Sequence, residues 1–67
     1  MEIDDIRGLT DDELATELDD TRRALMNLRF REATMQLVNV NELRQARRRI
    51  ARIETVRRER DLAQAAR

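Results

Sequence analysis

An apolar seam without a helix breaker is the feature that most limits what this chain can fold into. Residues 11–35 contain neither proline nor glycine, and the seam positions return at alternating steps of four and three residues. The seam consists of Leu14, Leu18, Thr21, Leu25, Leu28, Glu32 and Met35. This spacing is typical of a coiled-coil helix, which needs a second helix to cover its seam. Such a helix extends about 37 Å at 1.5 Å per residue.

The signals for the start of this helix lie directly before the seam. Thr10 and Glu13 have the spacing of a capping box, in which each side chain binds the backbone N–H group of the other residue. Leu9 and Leu14 are placed as the hydrophobic staple that accompanies such a box. The sequence therefore predicts that the first long helix covers residues 10–35.

The residues before this helix form a short element of their own. Ile3 and Ile6 lie on one side of an amphipathic turn, and Gly8, the only glycine of the chain, closes it. Glycine at this place can adopt the left-handed conformation that ends many helices. We therefore expect an N-terminal helical turn over residues 1–8.

A second helix is predicted after a short connection. Residues 34–38 are the weakest helical stretch, and Asn39 can cap a new helix, with Glu42 three residues further on. Its apolar face consists of Leu43, Ala46, Ile50 and Ile53. Because the connection is short, the two helices must be antiparallel neighbours.

These elements predict an all-α fold, a long antiparallel two-helix hairpin that is coiled-coil-like, with a short N-terminal helical turn. It forms a single domain over residues 1–67, in which the second helix covers 39–62. The tail, 63–67, has few anchors and is expected to fray. A chain this short buries only about 60% of its unfolded surface, so we expect a partner to contribute to its stability.

Charge is divided unevenly along the chain. The net charge is zero, but residues 1–20 carry nine acids and one arginine, whereas residues 21–60 carry twelve arginines and four acids. All 14 basic residues are arginine, whose planar guanidinium group suits phosphate oxygens. In an antiparallel hairpin the acidic start of the first helix lies beside Arg57, Arg58 and Arg60 and offsets them. The turn end and the middle of the second helix remain as the surface that attracts anions.

The densest positive charge lies on the second helix, opposite its apolar face. Arg44, Arg48 and Arg52 stack at intervals of four residues, and Arg47 and Arg49 widen this stripe. No acid lies four residues from any member of the stripe, so like-charge repulsion destabilises the helix unless phosphates neutralise it. The alternative interpretation is a solvated helix face.

Enzymatic activity is not expected from this residue inventory. The chain contains no His, Cys, Ser, Lys or Tyr, and therefore no activated nucleophile. Its paired aspartates lack the spaced loop and glycine of a calcium site, so neither a metal nor a cofactor is expected. The acidic N-terminus is unlike a signal or transit peptide, and no apolar run approaches the roughly 18 residues of a membrane span. We expect a soluble, cytoplasmic protein.

A second apolar patch lies off the seam of the first helix. It consists of Met26, Phe30 and Ala33, with arginines on its flanks. Phe30, the only aromatic residue, either folds back over the edge of the hairpin or contacts RNA or another protein. Both interpretations remain open from the residues alone.

The order of several short segments resembles a known family. Asn-Leu-Arg-Phe at 27–30 is followed by Gln36–Leu37, and then by Asn39, Arg44, Arg47, Arg48, Ile-Ala-Arg-Ile at 50–53 and Thr55. With this order and spacing, the chain from Leu9 to about Arg60 resembles the ribosomal protein L29 family of the bacterial large subunit. It departs from the family at Met35, where glycine is usual, at Glu54, where a basic residue is usual, and in having no lysine.

The resemblance implies a structural constituent of the large ribosomal subunit. It implies binding to large-subunit rRNA near the peptide exit tunnel, beside ribosomal protein L23 and near the place where nascent-chain factors dock. It also favours a contact role for the patch around Phe30. The residues expected to bind RNA are Arg29, Arg31, Gln36, Asn39, Arg44, Arg47, Arg48, Arg49, Arg52 and Thr55.

The sequence pattern alone also allows a function of another class. A short antiparallel coiled coil with an exposed seam is a protein-interaction module that pairs with another helix. Such a module self-associates or binds a helical partner whether or not RNA is present.

Overall fold

The computed structural model describes residues 2–66 as three α-helices with short connections. Helix α1 spans Ile3–Arg7, α2 spans Asp11–Ala33 and α3 spans Val40–Ala65. The two long helices pack against each other, and α1 packs against α3. No strand occurs among residues 2–66, so the predicted all-α hairpin with a short N-terminal helix is confirmed. The hairpin is elongated, with extents of 50 × 17 × 16 Å.

The first of two apolar clusters lies at the end of the hairpin away from the turn. It consists of the buried residues Ile6, Leu14, Leu18, Ile53 and Val56. Because the start of α2 meets the later part of α3 here, the helices are antiparallel, as predicted. Ile6 is fully inaccessible to solvent, so the short helix α1 completes this core.

The second cluster lies toward the turn and is smaller. Leu25, Leu28 and Leu43 each keep 8% of their surface exposed. Val38 and Ala46 pack at the edge of this cluster. The core residues are therefore less exposed to solvent at the α1 end of the hairpin than at the turn end.

Side-chain caps fix where both long helices begin. At the start of α2 the predicted capping box is present: the N–H group of Glu13 donates to Thr10 Oγ1 at 3.2 Å, and the N–H group of Thr10 donates to Glu13 Oε1 at 3.3 Å. At the start of α3 the side-chain oxygen of Asn39 accepts from the N–H group of Asn41 at 2.9 Å. In the described chain Asn39 forms this cap without the expected contribution of Glu42.

Both long helices end elsewhere than predicted. Because α2 ends at Ala33 and the first buried residue of α3 is Leu43, nothing in the described part of α3 covers the last two predicted seam positions. Glu32 is therefore exposed, and Met35 is 95% exposed. Helix α3 continues to Ala65, since its last residues are strong helix formers. Residues 1 and 67, parts of the predicted turn and tail, lie outside the described range.

The chain leaves α2 through a Schellman motif. The N–H group of Gln36 donates to the carbonyl oxygen of Arg31 at 2.8 Å, and the N–H group of Met35 donates to that of Glu32 at 3.1 Å. Met35 has a φ of 61°, the left-handed conformation that favours glycine. The chain thus forms a glycine-type turn with methionine at the left-handed position.

The end of α1 also differs from the prediction, but here a positive φ was expected and is not found. Gly8 has a φ of −81°, so the left-handed cap expected there is wrong. The N–H groups of Gly8 and Leu9 donate to the carbonyl oxygens of Asp5 and Ile6 at 3.2 and 3.1 Å. These bonds continue the right-handed turn and require no positive φ.

Candidate nucleic-acid interface

Helix α3 carries a cationic surface that we call the arginine surface. It consists of Arg44, Arg47, Arg48, Arg49 and Arg52. The first three side chains are exposed, and the last two are half-buried. Within residues 2–66, Arg44, Arg47, Arg48 and Arg49 form neither an ion pair nor a side-chain hydrogen bond. Their guanidinium groups keep all of their donors available.

One edge of the arginine surface faces α2 across a groove. Arg48, Arg49 and Arg52 line one wall of this groove, which has a volume of about 810 Å³, and Glu17 and Asp20 belong to the other wall. These acids lower the positive potential at this edge. The sequence analysis placed the acids of the first helix beside Arg57, Arg58 and Arg60 and did not expect Glu17 and Asp20 to lie near this part of α3, so it overestimated the uncompensated charge there.

The remaining predicted RNA-binding residues have different surroundings. Arg29 and Arg31 are exposed near the end of α2 and have no ion pair within the described range. The side chain of Asn39 is engaged in its cap. The hydroxyl group of Thr55 donates to the carbonyl oxygen of Ala51 at 2.8 Å, so it has no proton to donate to a ligand. Gln36 is exposed in the turn, and whether any of these residues contacts RNA stays a prediction.

The patch of Met26, Phe30 and Ala33 lies on the surface. Met26 is 67% exposed and Phe30 is 63% exposed, and Ala33 is also exposed. Neither apolar cluster formed by residues 2–66 includes Phe30. The structure therefore does not show Phe30 folded over the hairpin edge, and contact with a partner remains the prediction for this patch.

The sequence analysis missed a second exposed apolar group, which we call the turn surface. It consists of Met35, Leu37 and Val40, which are 95%, 101% and 57% exposed. Leu37 lies outside both predicted apolar seams, and this was the signal in the sequence that could have identified it. Met35 was assigned to the seam because its spacing fits, although α2 ends before it.

At the opposite end of the hairpin, Arg7 and Arg60 are paired. Arg60 forms an ion pair with Asp11 at 2.7 Å and donates to the carbonyl oxygens of Arg7 and Leu9. Arg7 forms an ion pair with Glu59 at 3.0 Å. The hydrogen bond and the charge of Glu59 are the main causes that raise the pKa of Arg7 above its ordinary value. These contacts fasten α1 and the start of α2 to the end of α3.

The predicted charge compensation at this end is confirmed for only one of its arginines. Arg60 meets Asp11, as expected from the antiparallel arrangement. Arg57 and Arg58 form no ion pair within residues 2–66. Further along the hairpin, Arg22 of α2 forms an ion pair with Glu54 of α3 at 2.9 Å.

Residues 2–66 also lack the features of a metal site and of a membrane span. Among residues 2–66, no three acidic side chains converge in a way that could hold a metal ion. Neither of the long helices in that range has the length of apolar sequence that a membrane span requires.

Comparison with known proteins identifies the family. The model of the family described as Ribosomal L29 protein matches residues 4–60. The large ribosomal subunit protein uL29 of Crocosphaera subtropica is 47% identical over 60 residues, which are 90% of this chain and 77% of the relative. The uL29 protein of Desulforudis audaxviator is 48% identical over 62 residues, 92% of both chains. That of Mycobacterium avium is 51% identical over 61 residues, 91% of this chain and 79% of the relative. This chain therefore belongs to the ribosomal L29 protein family.

Proposed function

We propose that this chain binds large-subunit rRNA through the arginine surface of α3. As a member of the ribosomal L29 family, it is a structural constituent of the large ribosomal subunit and not an enzyme. The observation that carries the proposal is the contrast in pairing. Arg44, Arg47, Arg48 and Arg49 lie within six residues of α3 and have no ion pair within residues 2–66, whereas Arg7, Arg22 and Arg60 are paired. Arg57 and Arg58 also have no ion pair in that range, but Glu54 separates them from this cluster in the sequence.

The spacing of the arginines supports contact with a phosphate backbone. Arg44, Arg48 and Arg52 follow one another at steps of about 6 Å along the helix axis, a distance from which long side chains reach successive or facing phosphates. Like charges four residues apart destabilise an isolated helix, and bound phosphates remove this repulsion. Since the surface has no groove-reading motif, its contacts position the protein on RNA and do not read sequence.

The family also suggests where on the subunit this contact lies. We propose a location near the peptide exit tunnel, with ribosomal protein L23 as a neighbour and nascent-chain factors as transient partners. The patch of Met26, Phe30 and Ala33 is a candidate for contact with one of these proteins or with RNA, because it is apolar and exposed.

The test is the affinity of the purified protein for large-subunit rRNA across a series of salt concentrations. In the variant Arg44→Gln/Arg48→Gln/Arg52→Gln, we expect weaker binding and a slope of log affinity against log salt that is shallower by roughly two to three units. Glutamine keeps helix propensity similar, so circular dichroism should show an unchanged helix. An unaltered slope would show that the stripe is only solvated.

The structure offers less support for a free coiled-coil module. From Leu14 to Leu28 the seam of α2 is buried against α3 in two clusters, so this part of the seam is not available to another helix. Co-sedimentation separates the two functions. The proposed function requires the protein to sediment with large subunits and to leave them only at high salt, whereas a module self-associates without RNA.

A further inference from the structure

We propose that the turn surface, formed by Met35, Leu37 and Val40, packs against the exposed bases of unpaired nucleotides in the same rRNA. The inference rests on the proposed function and adds a part of the interface whose affinity does not come from charge. It is carried by the exposure of these side chains, by the backbone of Met35 and by the surrounding arginines.

Exposure shows that the turn surface does not hold the hairpin together. Leu37 is 101% exposed and Met35 is 95% exposed, whereas Val38 between Leu37 and Asn39 packs against the second cluster. The segment 36–39 thus turns one apolar residue inward and presents its neighbour outward. Leu37 contributes almost no buried apolar area to the fold, so removing it should leave the stability unchanged.

The backbone conformation of Met35 supports the same inference. A residue with a Cβ atom is strained at a φ of 61°, and glycine is not. The side chain of Met35 is too exposed for packing within the hairpin to offset this strain. Stability alone therefore favours glycine at this position, and a methionine there is explained by a contact made outside the hairpin.

The charges beside the turn favour an anionic occupant, and RNA combines this charge with exposed apolar base faces. Arg31, whose carbonyl oxygen closes the turn, and Arg29 and Arg44 are exposed and have no ion pair within the described residues. RNA supplies phosphates for such arginines, and its unpaired nucleotides supply flat apolar faces on which alkyl and thioether groups can pack. A neutral apolar protein surface would leave these arginines uncompensated.

The first experiment compares two equivalent substitutions at opposite ends of the hairpin. Leu37→Gln alters the turn surface, and Leu62→Gln is its control, because Leu62 is also exposed, at 62%, but lies near the end of α3. We expect Leu37→Gln to weaken binding to purified large-subunit rRNA about tenfold, and Leu62→Gln to leave it unchanged. Because an apolar contact releases no counterions, the salt slope of Leu37→Gln should equal that of the unaltered protein.

The second experiment uses a substitution that should raise the stability of the protein and weaken its binding to rRNA. Met35→Gly should raise the melting temperature by about 3 to 6 °C by relieving the strain at a positive φ, while it weakens rRNA binding. A variant that is more stable but binds less cannot owe its defect to unfolding. Footprinting with dimethyl sulfate should show bases protected by the unaltered protein and not by Leu37→Gln.

The outcomes separate this inference from the proposed function. If the arginine variant loses its salt slope but Leu37→Gln and Met35→Gly bind rRNA normally, the proposed function stands and this inference is wrong. If the two turn variants bind purified rRNA normally and fail only on subunits that contain the other ribosomal proteins, the occupant is a protein, which also overturns it. If the unaltered protein does not bind rRNA, both proposals fail.

Discussion

The two ends of the hairpin use the same residue types for opposite purposes. At the α1 end, isoleucine and leucine side chains are fully buried, and Arg7 and Arg60 are tied to Glu59 and Asp11. At the turn end, leucine and methionine side chains are almost fully exposed, and Arg31 and Arg44 have no ion pair within residues 2–66. At the α1 end these side chains are buried or paired within the protein, with Arg57 and Arg58 as exceptions, and at the turn end they are left exposed.

This difference shows how a small domain can separate the residues that stabilise its fold from those left for binding. A 67-residue chain buries limited surface, so it gains most stability where three elements meet, as at the first cluster. The turn end is held by a smaller cluster from the two long helices, with Val38 of the connection at its edge. Its exposed apolar and cationic groups add little to folding, and we propose that they act in binding.

The largest effect expected from the comparison concerns the two cores. Ile53→Ala removes a side chain with 0% exposure, and we expect a loss of about 3 to 4 kcal/mol in the free energy of unfolding. Leu25→Ala, in the cluster nearer the turn, should cost about 2 kcal/mol because its site is partly open and can collapse. Urea denaturation gives both values. Equal costs, or a greater cost for Leu25→Ala, would remove the distinction between the two ends.

The next effect concerns the contacts that fasten α1. Arg60→Gln removes the ion pair with Asp11 and weakens the bonds to two carbonyl oxygens, so we expect a loss of about 1 kcal/mol. Arg58→Gln is the matched control, since Arg58 has no ion pair within the described range, and should change stability by less than about 0.5 kcal/mol. If the two variants unfold at the same urea concentration, the pairing at this end adds no stability.

A smaller change in stability is expected at the exposed patch on α2. Phe30→Ala should alter the free energy of unfolding by less than about 0.5 kcal/mol, because Phe30 is 63% exposed. Incorporation of the variant into large subunits should weaken more than its melting temperature falls. A much lower melting temperature, with weaker incorporation only as its consequence, would assign Phe30 to the core.

The smallest effect separates two members of the arginine surface. Arg44→Gln should reduce the salt slope of rRNA binding by roughly 0.7 to 0.9 units, the value for one neutralised phosphate. Arg52→Gln should reduce it less, because Arg52 is half-buried in the groove that also contains Glu17 and Asp20. Equal reductions would mean that these acids do not affect the binding of phosphates.

The fold was largely predictable because its determinants are local. The capping box at Thr10 and the seam from Leu14 to Leu28 depend on residues a few positions apart, and both are confirmed. The end of the seam was not predictable from spacing, because it depends on where α3 begins. The fit of α1 into the core likewise depends on Ile6 meeting Ile53, which is distant in sequence.

The candidate site was predictable only in part. The arginine surface follows from helical spacing on one helix. The acids that face it across the groove come from α2, some 30 positions earlier, and the spacing of arginines along α3 carries no information about them. The exposure of Leu37 depends on which way the segment after Met35 turns, and this is set by a backbone conformation that is unusual for methionine.

The most direct test of the account compares two triple variants with the same change in net charge. Arg44→Gln/Arg48→Gln/Arg52→Gln alters the arginine surface, and Arg7→Gln/Arg22→Gln/Arg23→Gln alters arginines that form ion pairs with Glu59, Glu54 and Asp19. The salt dependence of binding to large-subunit rRNA is measured for both. The account predicts a slope shallower by roughly two to three units for the first variant and by less than about one unit for the second. Equal slopes would show that rRNA responds only to the total charge of the protein, and would contradict the assignment of phosphate binding to α3.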